Sequence, residues 1–244
     1  MRLIQLSDCH LFSDIHRTGY ASVNPYSSLS KLLSLTASLQ PDVVLVTGDI
    51  SGDDTEISYQ HFRTLTQDAL KDIPLLVLAG NHDCNPYFDS MLSEYSLNEG
   101  CMLPGGQWVL HGLDTRHEGT LGMVKVDQLK LLSASIASKP ETNHIVALHH
   151  HPLAANSWMD KHALLNAERL ISFIKTTANV KLVLHGHLHF PLHRDINGTP
   201  VLGVPSTCWQ WQMTDEFAFS TEQPGLRIVD LHDDGSWTTQ IRRV

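Results

Sequence analysis

Short apolar runs in this chain stop abruptly on Asp, Asn or His, and this happens at five places. The run at 3–6 leads into Ser7-Asp8-Cys9-His10, that at 43–46 into Thr47-Gly48-Asp49, and that at 75–79 into Gly80-Asn81-His82-Asp83. The run at 145–148 leads into His149-His150-His151-Pro152, and that at 181–184 into His185-Gly186-His187-Leu188-His189. Near-continuous apolar runs of this length suit strands buried on both faces. Ligands of α/β proteins gather where loops leave the carboxyl ends of strands. One polar strand end is ordinary turn chemistry. A whole series drawn from metal-ligating side chains points to one site at one sheet edge.

Between these runs lie helical patterns. Leu29, Leu32, Leu33, Leu35 and Leu39 recur with a mostly helical period and are closed by Pro41. Residues 56–70, 127–137 and 162–177 are further helix candidates, the last through Leu164, Leu165, Leu170, Ile171 and Ile174. Residues 200–204, 226–231 and 236–241 read as strands, with Asp233-Asp234-Gly235 as a hairpin turn. No repeat, low-complexity tract or Pro/Gly/Ser linker divides the chain, so one layered α/β domain over 1–244 is expected.

Composition narrows the partners. Against 17 Lys and Arg stand 26 acidic residues, a formal charge of −9 with histidine neutral. That balance argues against tracking along nucleic acid, which needs cations to neutralise phosphates. The apolar runs are too short to cross a bilayer, so neither nucleic acid nor membrane is an expected partner. The N-terminal stretch lacks the longer apolar segment of a secretory signal. Cys9, Cys84, Cys101 and Cys208 show no CxxC spacing, so reduced thiols in the cytoplasm are expected. Cys9 and Cys84 read as space-filling hydrophobes. The 16 histidines raise the question of metal, because neutral imidazole is a common ligand.

The strand ends supply Asp8-x-His10, Gly48-Asp49, Gly80-Asn81-His82-Asp83, the histidine triplet and Gly186-His187-Leu188-His189. On an extended segment, residues two apart project to one side, which pairs Asp8 with His10 and His187 with His189. Mixed carboxylate, imidazole and amide donors suit Mn, Fe or Zn better than Ca. The lack of thiolates at these positions argues against a structural zinc knuckle.

In this order, the motifs DxH, GD, GNHD, a His before Pro, and GHxH resemble the signature of the calcineurin-like metallophosphoesterases, and they span residues 8–189. The resemblance implies an α/β (α+β type) fold, a four-layer β-sandwich flanked by helices, with a dinuclear site at the sheet edge. It implies that Asp8, His10 and His189 hold one metal, that Asn81, His150 and His187 hold the second, and that Asp49 bridges them. His150 is singled out by its place two residues before Pro152. Strand alternation then turns His149 and His151 away, into packing or supporting roles. The implied substrate contacts are His10, Asp49, Asn81, His82 and His189. His82 is the implied catalytic group, stabilising charge or protonating the leaving oxygen, a task suited to imidazole. Asp83 reads either as orienting a ring or as a loop cap. The implied mechanism is in-line attack on phosphorus by hydroxide shared between two cations, which also neutralise the non-bridging oxygens.

A narrower resemblance rests on Ser7-Asp8-Cys9-His10-Leu11-Phe12, on His149-His150-His151-Pro152-Leu153 followed by Ser157-Trp158-Met159-Asp160, and on Pro205-Ser206-Thr207-Cys208. These stretches look like the bacterial class III 3′,5′-cyclic AMP phosphodiesterases, which are cytosolic iron or manganese enzymes. The likeness implies two divalent or mixed-valence ions, Fe or Mn before Zn, and hydrolysis of cAMP to 5′-AMP by a monomer or homodimer. The alternative is a broader diesterase acting on 2′,3′-cyclic nucleotides or other diesters. A non-catalytic scaffold would have eroded ligands, and here the ligands and His82 are intact. Trp158 and Asp160 either flank a purine and its ribose or pack. Trp209 and Trp211 invite base stacking, against edge-strand or interface packing. His185 is expected beneath the site as a supporting donor.

Overall fold

Every residue of the run Val43–Val46 is buried, and the alternation of its side chains decides what each one meets. Val43 and Leu45 join one apolar cluster while Val44 and Val46 join another, so both faces of this strand are covered. The computed structural model describes residues 1–97 and 100–244. The first part of the chain runs β1 (Arg2–Leu6), α1 (Pro25–Ser38), β2 (Val43–Val46), α2 (Glu56–Leu70), β3 (Leu75–Val77) and α3 (Pro86–Leu92). It continues as β4 (Cys101–Met102), β5 (Trp108–Leu113), α4 (Val126–Ala137), β6 (Asn143–Leu148), α5 (Ala167–Lys175) and β7 (Val180–His185). The last part is all strand: β8 (His193–Ile196), β9 (Thr199–Gly203), β10 (Gln210–Trp211), β11 (Phe219–Ser220), β12 (Gly225–Leu231) and β13 (Trp237–Arg243).

The strands form two mixed sheets. One has the order β13-β12-β1-β2-β3, with β1, β2 and β3 parallel and the β12–β13 hairpin antiparallel at its side. The other has the order β4-β5-β6-β7-β9-β8, its four central strands parallel and both edges antiparallel. Leu3, Leu45 and Val229 of the first sheet meet Leu110, Ala147 and Leu184 of the second between the sheets. The outer face of the first sheet packs on Leu29, Leu33 and Phe62 of α1 and α2. The outer face of the second packs on Leu132, Leu170 and Ile174 of α4 and α5. Helices, sheet, sheet and helices therefore follow one another as layers. Among the described residues, no helix is long and apolar enough to cross a membrane.

Helix starts follow local chemistry. Asn24 accepts a hydrogen bond from the Ser27 amide at 2.8 Å, with Pro25 at the first helical position, and Thr55 accepts from the Ser58 amide. The sequence expectation lacked α3, β4, β5, β8, β10 and β11, and it placed one helix start too early. The helix expected over 162–177 begins only at Ala167. Before it, Leu165 donates its amide to Gly122 and the Asn166 side chain bonds both main-chain groups of Val124, which ties this turn to the neighbouring loop instead of to a helix. Strand β5 was hidden because His111-Gly112 interrupts its apolar run. Gly112 is required there, since a Cβ would lie 1.9 Å from the Leu97 carbonyl oxygen.

Strands β1, β2 and β3 of one sheet and β6 and β7 of the other all deliver their following loops to one end of the sandwich. The Gly186 amide donates to the His149 oxygen at 3.1 Å, and the His187 amide donates to both carboxylate oxygens of Asp8 at 3.1 Å. The two sheets thus meet at that end through the very loops that carry the polar motifs.

Candidate metal centre

Asp8, His10, Asp49, His187 and His189 all adopt positive φ, between 45° and 67°. The left-handed region is unfavourable for residues bearing a Cβ and clusters at functional sites. The expected pairing of Asp8 with His10 and of His187 with His189 therefore arises differently from the strand alternation read in the sequence. Their backbones have left the extended region, and alternate left-handed residues aim the side chains inward. Main-chain bonds hold these turns: the Asp8 amide to Gly48 at 2.9 Å and the His10 amide to Asp49 at 3.0 Å. The Pro205-Ser206-Thr207-Cys208 turn braces the same loop, the Ser206 hydroxyl donating to the Asp8 carbonyl at 2.8 Å. Close approach explains Gly80, where a Cβ would lie 2.2 Å from Asp49 Oδ1.

Two groups of acceptor atoms converge inside. In the first, His189 Nε2 lies 3.1 Å from His10 Nε2 and 3.4 Å from Asp8 Oδ1. In the second, His149 Nε2 lies 3.2 Å from Asn81 Oδ1, 3.2 Å from His187 Nδ1 and 3.4 Å from Asp49 Oδ2. The same Asp49 oxygen is 3.7 Å from His10 Nε2, so Asp49 stands between the groups.

The ring protons of His189, His149 and His187 are engaged elsewhere. A carbonyl oxygen only accepts, so the nitrogen facing it carries the hydrogen. His189 Nδ1 donates to Trp209 at 2.8 Å, His149 Nδ1 to Thr47 at 2.7 Å, and His187 Nε2 to His162 at 3.0 Å. In the neutral rings, the opposite nitrogens are lone pairs, and these point at one another and at carboxylate and amide oxygens. Acceptors crowded on acceptors, with outer donors fixing each ring, form the arrangement expected of a cation site. The donor set of oxygen and imidazole nitrogen fits a first-row divalent metal.

The electrostatics match neutral rings at His10 and His187 and differ at His149. Burial pushes the His10 imidazole down to about 3 and holds His187 well below its ordinary value. Burial works against His149 too, yet the charges of Asp49 and Asp8 hold it up at about 9. Burial likewise opposes ionisation of Asp49, but the His149 charge keeps its carboxyl well below the usual range. A proton on His149 compensates the carboxylates when no cation does.

The histidine triplet corrects the sequence expectation. The ring that meets Asn81, Asp49 and His187 is His149, whereas the sequence expectation gives that place to His150. His150 Nδ1 instead lies 2.7 Å from the Thr115 hydroxyl, and its ring fills the space over Gly122, where a Cβ would touch it. Its Nε2 is buried without a partner, close enough to His149 and His187 to belong to the same candidate group. The parity failed because β6 ends at Leu148 and the chain turns immediately. No spacing signal separates adjacent histidines at such a turn. His151 is buried behind them, its Nε2 3.5 Å from Asp160 Oδ1. His185 donates through Nδ1 to the Gly186 oxygen at 2.9 Å and lies under the site without reaching it.

Asp83 is a loop cap. Its carboxylate accepts from the Gly80 amide at 2.9 Å, the Ile50 amide at 3.1 Å and the Tyr59 hydroxyl at 2.8 Å. Burial and the nearby Asp49 push it up to about 6. The His82 amide donates to Asp49 Oδ1 at 2.9 Å, and its exposed ring stands edge-on to His10 at 4.9 Å. Asp160 caps the loop at Ala155 and Ser157 and does not line the cleft.

That cleft has a volume of about 600 Å³, and His10, Asp49, Asn81, His82 and His189 all line it. Trp209 stacks on His10 at 5.2 Å and Trp211 stacks on His189 at 4.9 Å. Trp158, Tyr20 and Arg17 complete the wall. Nothing in the sequence had marked the loop bearing Arg17 and Tyr20.

Comparisons with known proteins agree with this geometry. The family model described as Calcineurin-like phosphoesterase matches residues 1–191. The chain is 35% identical over 250 residues to the 3′,5′-cyclic adenosine monophosphate phosphodiesterase CpdA of Escherichia coli (strain K12), covering 100% of this chain and 90% of that protein. It is 34% identical over 252 residues to a 3′,5′-cyclic-nucleotide phosphodiesterase of Nostoc sp., covering 99% of this chain and 92% of that one. Among solved structures, a dimetal phosphatase from Danio rerio is similar with a TM-score of 0.67 at 15% identity, over 93% of this chain and 94% of that chain. At that identity the likeness concerns the fold alone.

Proposed function

The chain belongs to the calcineurin-like phosphoesterase family, and on that premise we propose that it is a metal-dependent phosphodiesterase hydrolysing 3′,5′-cyclic AMP to 5′-AMP. The observation that carries the reading is the pair of buried acceptor groups that meet at Asp49. Asp8, His10 and His189 would hold one ion, and Asn81, His149 and His187 the other, with Asp49 shared. Fe or Mn, and after them Zn, match these donors. Bound cations supply positive charge against the phosphate and make water more acidic. The activities for which the E. coli and Nostoc relatives are named support a 3′,5′-cyclic nucleotide as substrate.

The protein's own residues divide the remaining work. His10, Asp49, Asn81, His82 and His189 form the floor against which the phosphate sits. Hydrolysis breaks the bond from phosphorus to O3′, water supplies the new oxygen on phosphorus, and O3′ leaves needing a proton. His82 is the exposed imidazole beside the ligands, with its main chain pinned by Asp49, and it delivers that proton. The free cysteines, two of them buried, accord with a cytoplasmic setting.

The test is metal analysis of the purified protein, then turnover of 3′,5′-cAMP, 2′,3′-cAMP and a chromogenic diester after loading with Fe, Mn or Zn. Preference for 3′,5′-cAMP is expected. Equal turnover of all three would overturn a dedicated cAMP role, and no turnover with any metal would overturn catalysis.

A further inference from the structure

We infer that the outer half of the cleft is a nucleobase subsite built from Tyr20, Trp158 and Trp211, which grips a base through its ring faces and edges and reads its identity weakly. This rests on the phosphodiesterase reading for where the phosphate sits, and it adds what holds the rest of the substrate.

The cleft runs without interruption from the ligands to an aromatic wall. A phosphate group resting on Asn81, His82 and His189 would leave most of the 600 Å³ unfilled. The wall begins at the ligands themselves: Trp211 lies over His189 with 19° between the ring planes, which fixes the indole beside the phosphate end. Tyr20 and Trp158 each approach Trp211 edge-on, at 5.1 and 5.6 Å. Phe217 touches all three rings, at 5.0 to 5.8 Å. Tyr20 is 49% exposed and Phe217 51%. Trp211 is itself 8% exposed and Phe217 stands behind the cleft wall. The open ring surface is therefore that of Tyr20 and the half-buried Trp158, and aromatic surface beside a polar site marks a binding surface. The neighbour of a cyclic phosphate that matches flat apolar walls is a base.

The polar groups nearby offer few fixed donors or acceptors to a base edge. Trp158 Nε1 donates to the Gln212 oxygen at 3.2 Å. The Thr120 hydroxyl and His162 Nδ1 bond one another at 2.5 Å. The Arg17 guanidinium lies by its face over the Phe12 ring at 4.1 Å, and among the described residues no hydrogen bond fixes its N–H groups toward a base edge. Stacking accepts any base because every base has a π-face, whereas sharp discrimination needs fixed donors and acceptors facing the edge. The subsite should therefore take adenine and guanine alike and hold smaller pyrimidines less well.

The experiment uses the metal-loaded full chain. Saturation-transfer NMR with adenosine, which has no phosphate, reads the subsite without catalysis, and kinetics on cAMP and cGMP read it in turnover. The wild type should show adenosine contact and KM values for the two purine substrates within about tenfold of each other. Trp158→Leu should raise the cAMP KM at least about tenfold with kcat within about twofold, and abolish the adenosine signal at unchanged metal content. Tyr20→Leu, at an exposed position, repeats the test should the tryptophan variant fail to fold. Unchanged KM and unchanged adenosine contact in a folded, metal-loaded variant would overturn the subsite, and a cAMP preference above about a hundredfold would overturn its weak reading. If the wild type turns over no cyclic nucleotide but still contacts adenosine through Trp158, the phosphodiesterase reading fails while the base subsite stands.

Discussion

His149 Nδ1 donates to the main-chain oxygen of Thr47 across 2.7 Å, joining the loop after one sheet's β6 to the loop after the other sheet's β2. That bond rotates the imidazole so that Nε2, not Nδ1, faces Asn81 and Asp49. The same ring is thereby given its tautomer and its target.

The first consequence separates two adjacent histidines. His149→Ala should lose one metal equivalent and reduce diesterase turnover by at least about a hundredfold, whereas His150→Ala should keep both metals. Elemental analysis of the two variants checks this, and loss of a metal from His150→Ala alone would reverse the assignment.

His82→Ala should bind metal as the wild type does while kcat falls by roughly 10²- to 10⁴-fold, the range for losing a positioned proton donor. Metal content and kcat on cAMP are the measurements, and an unchanged kcat would remove His82 from the reaction.

Metal uptake should release protons. His149 is held at about 9 in the metal-free protein despite its burial, through Asp49 and Asp8. At pH 7–8 a ligand must shed that proton before it can bind. Calorimetry in buffers of different ionisation enthalpy should show about one proton released from this group, fading above pH 9. The raised value also means that metal-free stability from this pair is full below the unfolded pKa of 6.5 and is lost as pH rises through about 9. The metal-free Tm should fall across that window.

Acid should destabilise the sandwich at a different place. His111 Nε2 donates to His144 Nδ1 at 2.9 Å, and His144 Nε2 donates to the Lys139 oxygen at 3.2 Å. Burial, aided by His144, lowers His111 to about 4, and burial lowers His144 as well. Depressed values favour the neutral rings in the fold, so this stability is present above pH 6.5 and is lost as pH falls toward 4. The loss from His111 is about 3 kcal/mol by pH 4, and His111→Gln should flatten the urea-midpoint profile between pH 7 and 4.5.

Asp83→Ala would leave the Gly80 and Ile50 amides and the Tyr59 hydroxyl without an acceptor. A cost of roughly 2–4 kcal/mol is expected from such a loss, read as a lower urea midpoint, with weaker metal binding because Gly80 precedes Asn81. Asp83→Asn keeps an acceptor oxygen and should cost less.

Much of this molecule was legible in its sequence because burial imposes a period. The helix at 56–70 was read to the residue, and each motif-bearing apolar run became a strand. What was hidden depends on contacts far along the chain. The interrupted run of β5 makes sense only once the Leu97 carbonyl lies against Gly112. The start of α5 is delayed by Gly122 and Val124. Side-chain direction within the histidine triplet was misread because alternation applies inside a strand, and these residues lie just past its end. The aromatic wall was half visible: Trp158, Trp209 and Trp211 drew notice, while Tyr20 sits in a loop without periodicity.

Neither sheet carries a complete set of donors. Asp8, His10, Asp49 and Asn81 follow strands of the first sheet, while His149, His187 and His189 follow strands of the second. Each acceptor group draws on both. A cation held there would rivet the two halves of the sandwich at their open end, and the spacing of the sheets would set which ions fit. Core substitutions at Leu45 and Ala147, between the sheets, thereby become a means of tuning metal affinity.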